Sequence, residues 1–207
     1  MYLSKVHIDW PHAKNPYELH RALWRLFPGR PDDERGFLFR VEKIEKGQGA
    51  VILMQSHEKP EYLAEGVVLK ALRDANFRVQ QGQRFRFRVR ANPTKTIKDI
   101  TKGTVLKKGK EYIRTVRVPL IKEDQQQLWL KRKLEDSAFI ESVAIQSETA
   151  LYFRKERDKM SGKIQTVLFD GIIVIKDKTA FKKLFESGVG PAKSFGCGML
   201  SLAAVSC

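Results

Sequence analysis

Arg84-Phe85-Arg86-Phe87-Arg88-Val89-Arg90 is the stretch whose reading decides the fold. A strand alternates its side chains between two faces, so Phe85, Phe87 and Val89 point to a core while four arginines share the opposite face. This is the pattern of an antiparallel sheet covered on one side only. Same-face neighbours lie ~7 Å apart, and unscreened positive charges at that spacing repel one another. Carboxylates on adjacent strands would quench the repulsion, and so would an anionic ligand or docking surface. The charge elsewhere in the chain favours the second reading. Beyond Arg90, Asn92-Pro93-Thr94-Lys95-Thr96 turns the chain and adds hydroxyls and a lysine, groups that commonly contact phosphates.

Upstream of this strand, residues 2–8 alternate apolar and polar and predict a first strand. Asn15 caps a helix, Pro16 suits its first position, and Glu18 stands where a capping-box acid belongs. Leu19, Ala22, Leu23, Leu26 and Phe27 follow at helical spacing until Pro28-Gly29. Residues 37–45 and 50–55 predict a hairpin joined by Gly47-Gln48-Gly49. Residues 60–75 are ambiguous, with Leu63, Val67 and Leu72 on a poor helix interrupted by Gly66.

Downstream, residues 92–111 read as a basic loop and a domain boundary, after which the pattern restarts. Residues 112–119 predict a strand, and 123–134 a helix anchored by Leu128, Leu130 and Leu134. Residues 139–146, 151–154 and 164–175 predict strands. Asp177 caps a helix bearing Ala180, Phe181, Leu184 and Phe185, and 199–204 closes as a strand. The expected class is α+β: two tandem ferredoxin-like (RRM-like) β-α-β-β-α-β domains, 1–91 and 112–207, with antiparallel sheets.

Lys and Arg number 39 against 24 Asp and Glu, a formal net charge of +15. An excess that large implies an anionic partner, nucleic acid or an acidic membrane surface. No apolar run approaches the ~20 residues of a membrane span, and the N-terminus lacks the apolar core of a signal peptide. Cys197 and Cys207 make no disulfide framework, and with His7, His12, His20 and His57 they have no zinc-ligand spacing. No metal and no cofactor are expected, and a reducing cytoplasm fits best.

Three further segments carry chemistry. Arg154-Lys155-Glu156-Arg157-Asp158-Lys159, with Lys163 after it, lies between two strands and predicts a hairpin with a basic tip. Such hairpins are often merely solvated; a projecting one is also able to enter an RNA groove or track its phosphates. Gly188 to Gly198 departs from a P-loop, because Ala192 stands where a glycine should precede Lys193-Ser194. A flexible connection and a loop that aims N–H groups at phosphate are equally compatible with that spacing. Tyr17 and His20 stand three apart on one helix side. A lone helical histidine is usually a surface or packing residue, yet imidazole, with an ordinary pKa of ~6.5, exchanges protons near neutrality.

Six segments taken together resemble the CasE family, the CRISPR-associated RNA endonucleases of type I-E systems: MYLSKV at 1–6, Tyr17-Glu18-Leu19-His20, RFRFRVRANPTKT at 84–96, RVPLIKE at 117–123, SGKIQTV at 161–167 and GVGPAKSFGCGMLSLA at 188–203. They span nearly the whole chain in family order. The resemblance implies two ferredoxin-like domains and cleavage of CRISPR precursor transcripts at the 3′ base of the repeat hairpin. The product then stays bound as the enzyme joins the surveillance complex, Cascade. It places the catalytic histidine on His20, its neighbouring tyrosine on Tyr17, and a basic RNA-contacting segment on Arg154, Lys155 and Arg157. Residues 99–111 and 204–207 fit no family pattern.

The expected site is therefore His20 with Tyr17, and an RNA surface of Arg84, Arg86, Arg88, Arg90, Lys95, Arg154, Lys155, Arg157, Lys159, Lys163 and Lys193. The expected partners are the repeat stem-loop and other Cascade subunits, with no membrane, and a monomer when free. The rivals are a non-catalytic RNA-binding module of the same fold and a DNA-binding interaction subunit.

Overall fold

The computed structural model describes residues 1–28, 36–107, 109–155 and 160–205. The first half builds one sheet. Strand β1 (Tyr2–Ile8) leads through a short helix, α1 (Trp10–Ala13), into α2 (Pro16–Trp24), and then β2 (Phe37–Glu45), β3 (Gly49–Ser56), β4 (Leu63–Ala64) and β5 (Val67–Asp74) follow. The sheet order is β2-β3-β1-β5-β4, all neighbours antiparallel. Helix α2 covers one face because its apolar stripe, Leu19, Ala22 and Leu23, packs with Val6, Ile8, Phe39 and Ile52 into one core.

The second half comprises β6 (Arg84–Ala91), β7 (Thr94–Lys98), β8 (Thr104–Lys107), β9 (Lys110–Ile113), β10 (Thr115–Pro119), α3 (Glu123–Leu134), β11 (Ala138–Ser147), β12 (Leu151–Lys155), β13 (Met160–Ile164), β14 (Val167–Ile175), α4 (Lys178–Ser187) and β15 (Leu200–Ala204). Four strands form an antiparallel sheet in the order β11-β14-β6-β15. Read in chain order as first to fourth strand, that is 2-3-1-4, the ferredoxin-like arrangement with α3 and α4 packed on one face. Phe85, Phe87 and Val89 meet Trp129, Leu130, Phe169 and Phe181 in the second core.

The expected division after residue 91 is therefore corrected. Strand β6 opens the second domain and lies at its centre, between β14 and β15. The last strand of the first domain is β5, drawn from the ambiguous stretch 60–75. Gly66 at φ 69° serves the turn between β4 and β5, in place of the expected helix interruption. Residues 92–119 are likewise no bare linker followed by the second domain's first strand. They form an arm in which β7 pairs with β10 and β8 with β9, joined by backbone hydrogen bonds between Asp99, Gly103 and Arg114. Helix α3 buries Trp129, Leu130 and Leu134, whereas Leu128 is 59% exposed. Among the described residues no helix is long and apolar enough to cross a membrane.

The two domains meet along β2. Arg40, 5% exposed, donates to Glu42 at 2.6 Å and to the Ser201 hydroxyl at 2.9 Å. Arg90 donates to the Val41 carbonyl, and Gln55 to the Phe185 carbonyl. A buried guanidinium is tolerated when its charge is paired in this way.

Candidate active site

Helix α2 begins as the sequence dictates: Asn15 sits in extended backbone, its Oδ1 accepting the Tyr17 N–H at 3.1 Å, and Pro16 takes the first turn. The Glu18 carboxylate accepts from Arg21. Three residues after Tyr17, the partly buried His20 lies among aromatic rings. It stacks on Phe39 (centroids 6.2 Å apart, planes at 24°), tilts against Phe37 (5.7 Å) and meets Trp24 edge-on (6.4 Å, 85°). Packing against β2 therefore sets the orientation of the imidazole.

The basic hairpin expected after Leu151 forms between β12 and β13, with Arg154 opposite Ser161 and Tyr152 opposite Lys163. Strand alternation gives its two faces different tasks. Tyr152, Arg154 and Lys163 are exposed, with the Lys163 ammonium 5.6 Å from the Tyr152 ring centroid. Phe153 and Lys155 belong to the other face: Phe153 lies 4.6 Å from the Phe195 ring, and the Lys155 ammonium sits 5.2 Å from the Tyr17 ring centroid. Asn15 completes the junction by donating from Nδ2 to the Arg154 carbonyl at 2.6 Å. Arg157 and Lys159 lie outside the described residues.

The arginines of β6 have a different environment. Arg84 makes a two-pronged pair with Glu141 (2.9 and 2.5 Å), Arg88 pairs with Asp170 at 2.7 Å, and Arg90 forks onto Glu148 (2.7 and 2.6 Å). The hydrogen bond that Arg88 donates to Asp170, together with the carboxylate's charge, raises the Arg88 pKa above the ordinary arginine value. Arg86 is exposed and has no ion pair among the described residues. Carboxylates within the protein thus answer the repulsion that had favoured an external anion. Lys95 is exposed on the arm, opposite Val118, and is not part of the α2 and hairpin cluster.

The Gly188–Gly198 segment is a connector tied down at both ends. Val189 N–H donates to the Gly198 carbonyl at 2.8 Å, and Gly198 N–H to the Arg90 carbonyl at 2.7 Å. Lys193 donates its ammonium to the carbonyl of Ser187, the last residue of α4, where a cation complements the helix dipole. Gly188 (φ 78°) and Gly196 (φ 80°) adopt backbone that favours glycine, and a Cβ there would press on Leu38 and Phe39 at 2.9 and 3.2 Å. These contacts make the segment a helix-to-strand connector, but a packed one rather than the flexible one expected. Cys197 within this segment is buried, which pushes its thiol up to about 12, so it stays protonated and is no nucleophile. A cavity of about 440 Å³ opens at the junction, lined by Pro16, Leu19, Phe39, Arg90, Glu148 and Phe195 among others.

Sequence reasoning missed Arg40, Gln55 and the second bond of Asn15. Arg40 and Glu42 at a two-residue spacing on one strand face were a readable signal; the other two link residues 130 and 139 positions apart. The family model described as CRISPR associated protein matches residues 1–204.

The chain belongs to that family.

It is 47% identical over 203 residues to the CRISPR system Cascade subunit CasE of Escherichia coli K12, covering 98% of this chain and 99% of that one. It is 32% identical over 207 residues to the CRISPR-associated endoribonuclease Cse3 of Thermus thermophilus, covering 91% and 90%. A solved structure of the endoribonuclease Cse3 bound to a 19-nucleotide RNA superposes with a TM-score of 0.77 at 29% identity, covering 98% of this chain and all of that one.

Proposed function

We propose that this protein is an endoribonuclease that binds the stem-loop of CRISPR repeat RNA and cuts the precursor at the 3′ base of the hairpin. It then holds its product as a Cascade subunit in the cytoplasm. The observation that carries this reading is the junction of α2 with the β12–β13 hairpin, where Asn15 holds Arg154 and Lys155 stands over the ring of Tyr17, on the same helix as His20. The excess of cations supplies sequence-independent attraction for phosphates. The relatives' names agree with the chemistry of such a site.

In RNA the ribose 2′-OH lies next to the following phosphate and attacks it in line. A 2′,3′-cyclic phosphate forms as the P–O5′ bond breaks, and the 5′-oxygen leaves with a proton. The protein must take one proton, give another and stabilise charge on the phosphorane. His20 serves proton transfer, Tyr17 orients or shares a proton, and Lys155 supplies positive charge beside Tyr17. Gripping the stem on Arg154, Lys155, Arg157, Lys159 and Lys163 holds the scissile bond in line, which is itself catalytic. Lys95, on the arm, and Arg86, the arginine of β6 outside the ion pairs, add outlying phosphate contacts; Arg84, Arg88, Arg90 and Lys193 contribute through what they hold together.

The test is cleavage of a repeat stem-loop RNA in EDTA, beside the same RNA with one deoxyribose immediately 5′ of the scissile phosphate. The unmodified RNA is expected to yield a 2′,3′-cyclic phosphate and a 5′-hydroxyl, and the deoxy-substituted RNA to bind but stay whole. Efficient cutting of the deoxy RNA, or loss of cutting in EDTA, overturns the 2′-OH mechanism. RNA that binds and is never cut makes the protein a binder of the same fold.

A further inference from the structure

We infer that Asn15 is a positioning residue that fastens the RNA-gripping hairpin to the catalytic helix. The inference rests on the function proposed above and deepens it. Ser, Thr and Asp cap a helix as Asn does, through a side-chain oxygen that accepts a backbone N–H. Only Asn among these four has two amide hydrogens left to donate after capping. Asn15 uses both ends of its amide. Oδ1 accepts the Tyr17 N–H at 3.1 Å, with the Arg154 N–H approaching the same oxygen at 3.5 Å, and Nδ2 donates to the Arg154 carbonyl at 2.6 Å. One side chain thus addresses both backbone groups of Arg154 while it fixes the first turn of α2.

The rest of the hairpin root agrees with a joint held in register. Next to Arg154, the Lys155 ammonium stands over the Tyr17 ring. On the other side, Phe153 packs on Phe195 and crosses Gly162 of the partner strand, where any Cβ would collide with its ring. Helix α2 holds Tyr17 and His20 within two turns of Asn15, so a hairpin free to rock at its root would move bound RNA relative to both. Displacements of ~1 Å between a catalytic group and its substrate are enough to slow a reaction markedly. Asn15 touches no reacting atom in this account; it sets the distance between the residues that grip and the residues that react.

The test separates capping from fastening. Asn15→Ser and Asn15→Asp keep an oxygen that caps α2 and lose the amide N–H that donates to Arg154, Asp having no donor at all when ionised, whereas Asn15→Ala loses both. Each variant is compared with the parent in thermal melting, affinity for a repeat stem-loop RNA, and single-turnover cleavage rate at saturating RNA. The expected result is that Asn15→Ser and Asn15→Asp melt close to the parent, while both cleave about tenfold more slowly at saturation. Asn15→Ser should bind within about threefold of the parent, serving as the variant without added charge. Both capping variants cleaving at the parent rate would overturn the inference and leave Asn15 a helix cap. A parent that binds the RNA without cutting it would overturn the proposed function, and this inference with it.

Discussion

Two regions carry runs of basic residues, and the structure treats them in opposite ways. Strand β6 is central in a sheet, with neighbours on both sides, and its arginines reach Glu141 on β11, Asp170 on β14 and Glu148 just past β11. The β12–β13 hairpin has two strands and no flanking sheet, and among the described residues no carboxylate pairs with Arg154, Lys155 or Lys163. A basic strand within a sheet finds its counter-ions among its neighbours. Among the described residues the two-stranded hairpin has no flanking strand to supply them, and Arg154 and Lys163 stay exposed. Basic patterning alone therefore does not identify a nucleic-acid surface; the number of strands flanking it does much of the deciding.

The comparison is sharpest when grip and chemistry are separated. His20→Ala is expected to lower the single-turnover cleavage rate about 10²- to 10⁴-fold, the ordinary range for losing a proton-transfer group, with stem-loop affinity nearly unchanged. Rate and affinity collapsing together in a folded variant would make His20 a binding residue. Reversing Arg154, Lys155 and Lys163 to Glu should weaken RNA binding on the order of 10²-fold. The log–log salt slope should flatten by up to about one unit for every phosphate the variant no longer touches. An unchanged slope would return the hairpin to a solvated element.

The β6 arginines should fail in stability before they fail in binding. The Arg90–Glu148 pair is only 20% and 18% exposed, so Arg90→Ala strands a carboxylate and frees the Val41 carbonyl. A loss on the order of 2 kcal/mol is expected in denaturant unfolding. Arg84→Ala removes an exposed pair, 51% and 41%, and should cost less than about 1 kcal/mol while leaving the RNA salt slope alone. A large slope change from Arg84→Ala would mean that this face meets RNA after all. A further effect is confined to alkaline pH. The Cys197 thiol stays protonated up to about 12 when folded, against an ordinary value of 9.0. The unfolded chain therefore binds fewer protons above pH 9, and stability falls with rising pH from there. Cys197→Ala should show a shallower decline in melting temperature across that range.

Local signals in the sequence are reliable where the structure is local. The cap at Asn15, the stripe on α2, the β2–β3 hairpin and the two faces of β6 are all where spacing puts them. Partnership at a distance is what spacing misses. Nothing in residues 84–90 says that they pair with 167–174 and 200–204, so chain order alone puts β6 in the wrong half. The stretch 60–75 offers Leu63, Val67 and Leu72 at near-helical spacing; Val67-Val68-Leu69 with a turn glycine before it is the better signal. In α3, choosing leucines over Trp129 puts one anchor on the wrong side. The roles proposed for His20 and Tyr17 come from family likeness, not from spacing. The bond from Asn15 to Arg154 spans 139 residues and is visible through neither.

The loop between α4 and β15 has a consequence for which substitutions the chain is able to accept. Gly196 faces Phe39, and Phe39 is the ring on which His20 stacks. A methyl group added at residue 196 would need backbone that L-residues rarely adopt and would push on that ring. The push would arrive at the imidazole, although residues 20 and 196 belong to different domains. Residue 196 is thus under a steric constraint that, on the proposed role of His20, would be read out as cleavage. A mutational scan scored on cleavage would then rank a glycine without any chemistry of its own beside the residues of α2.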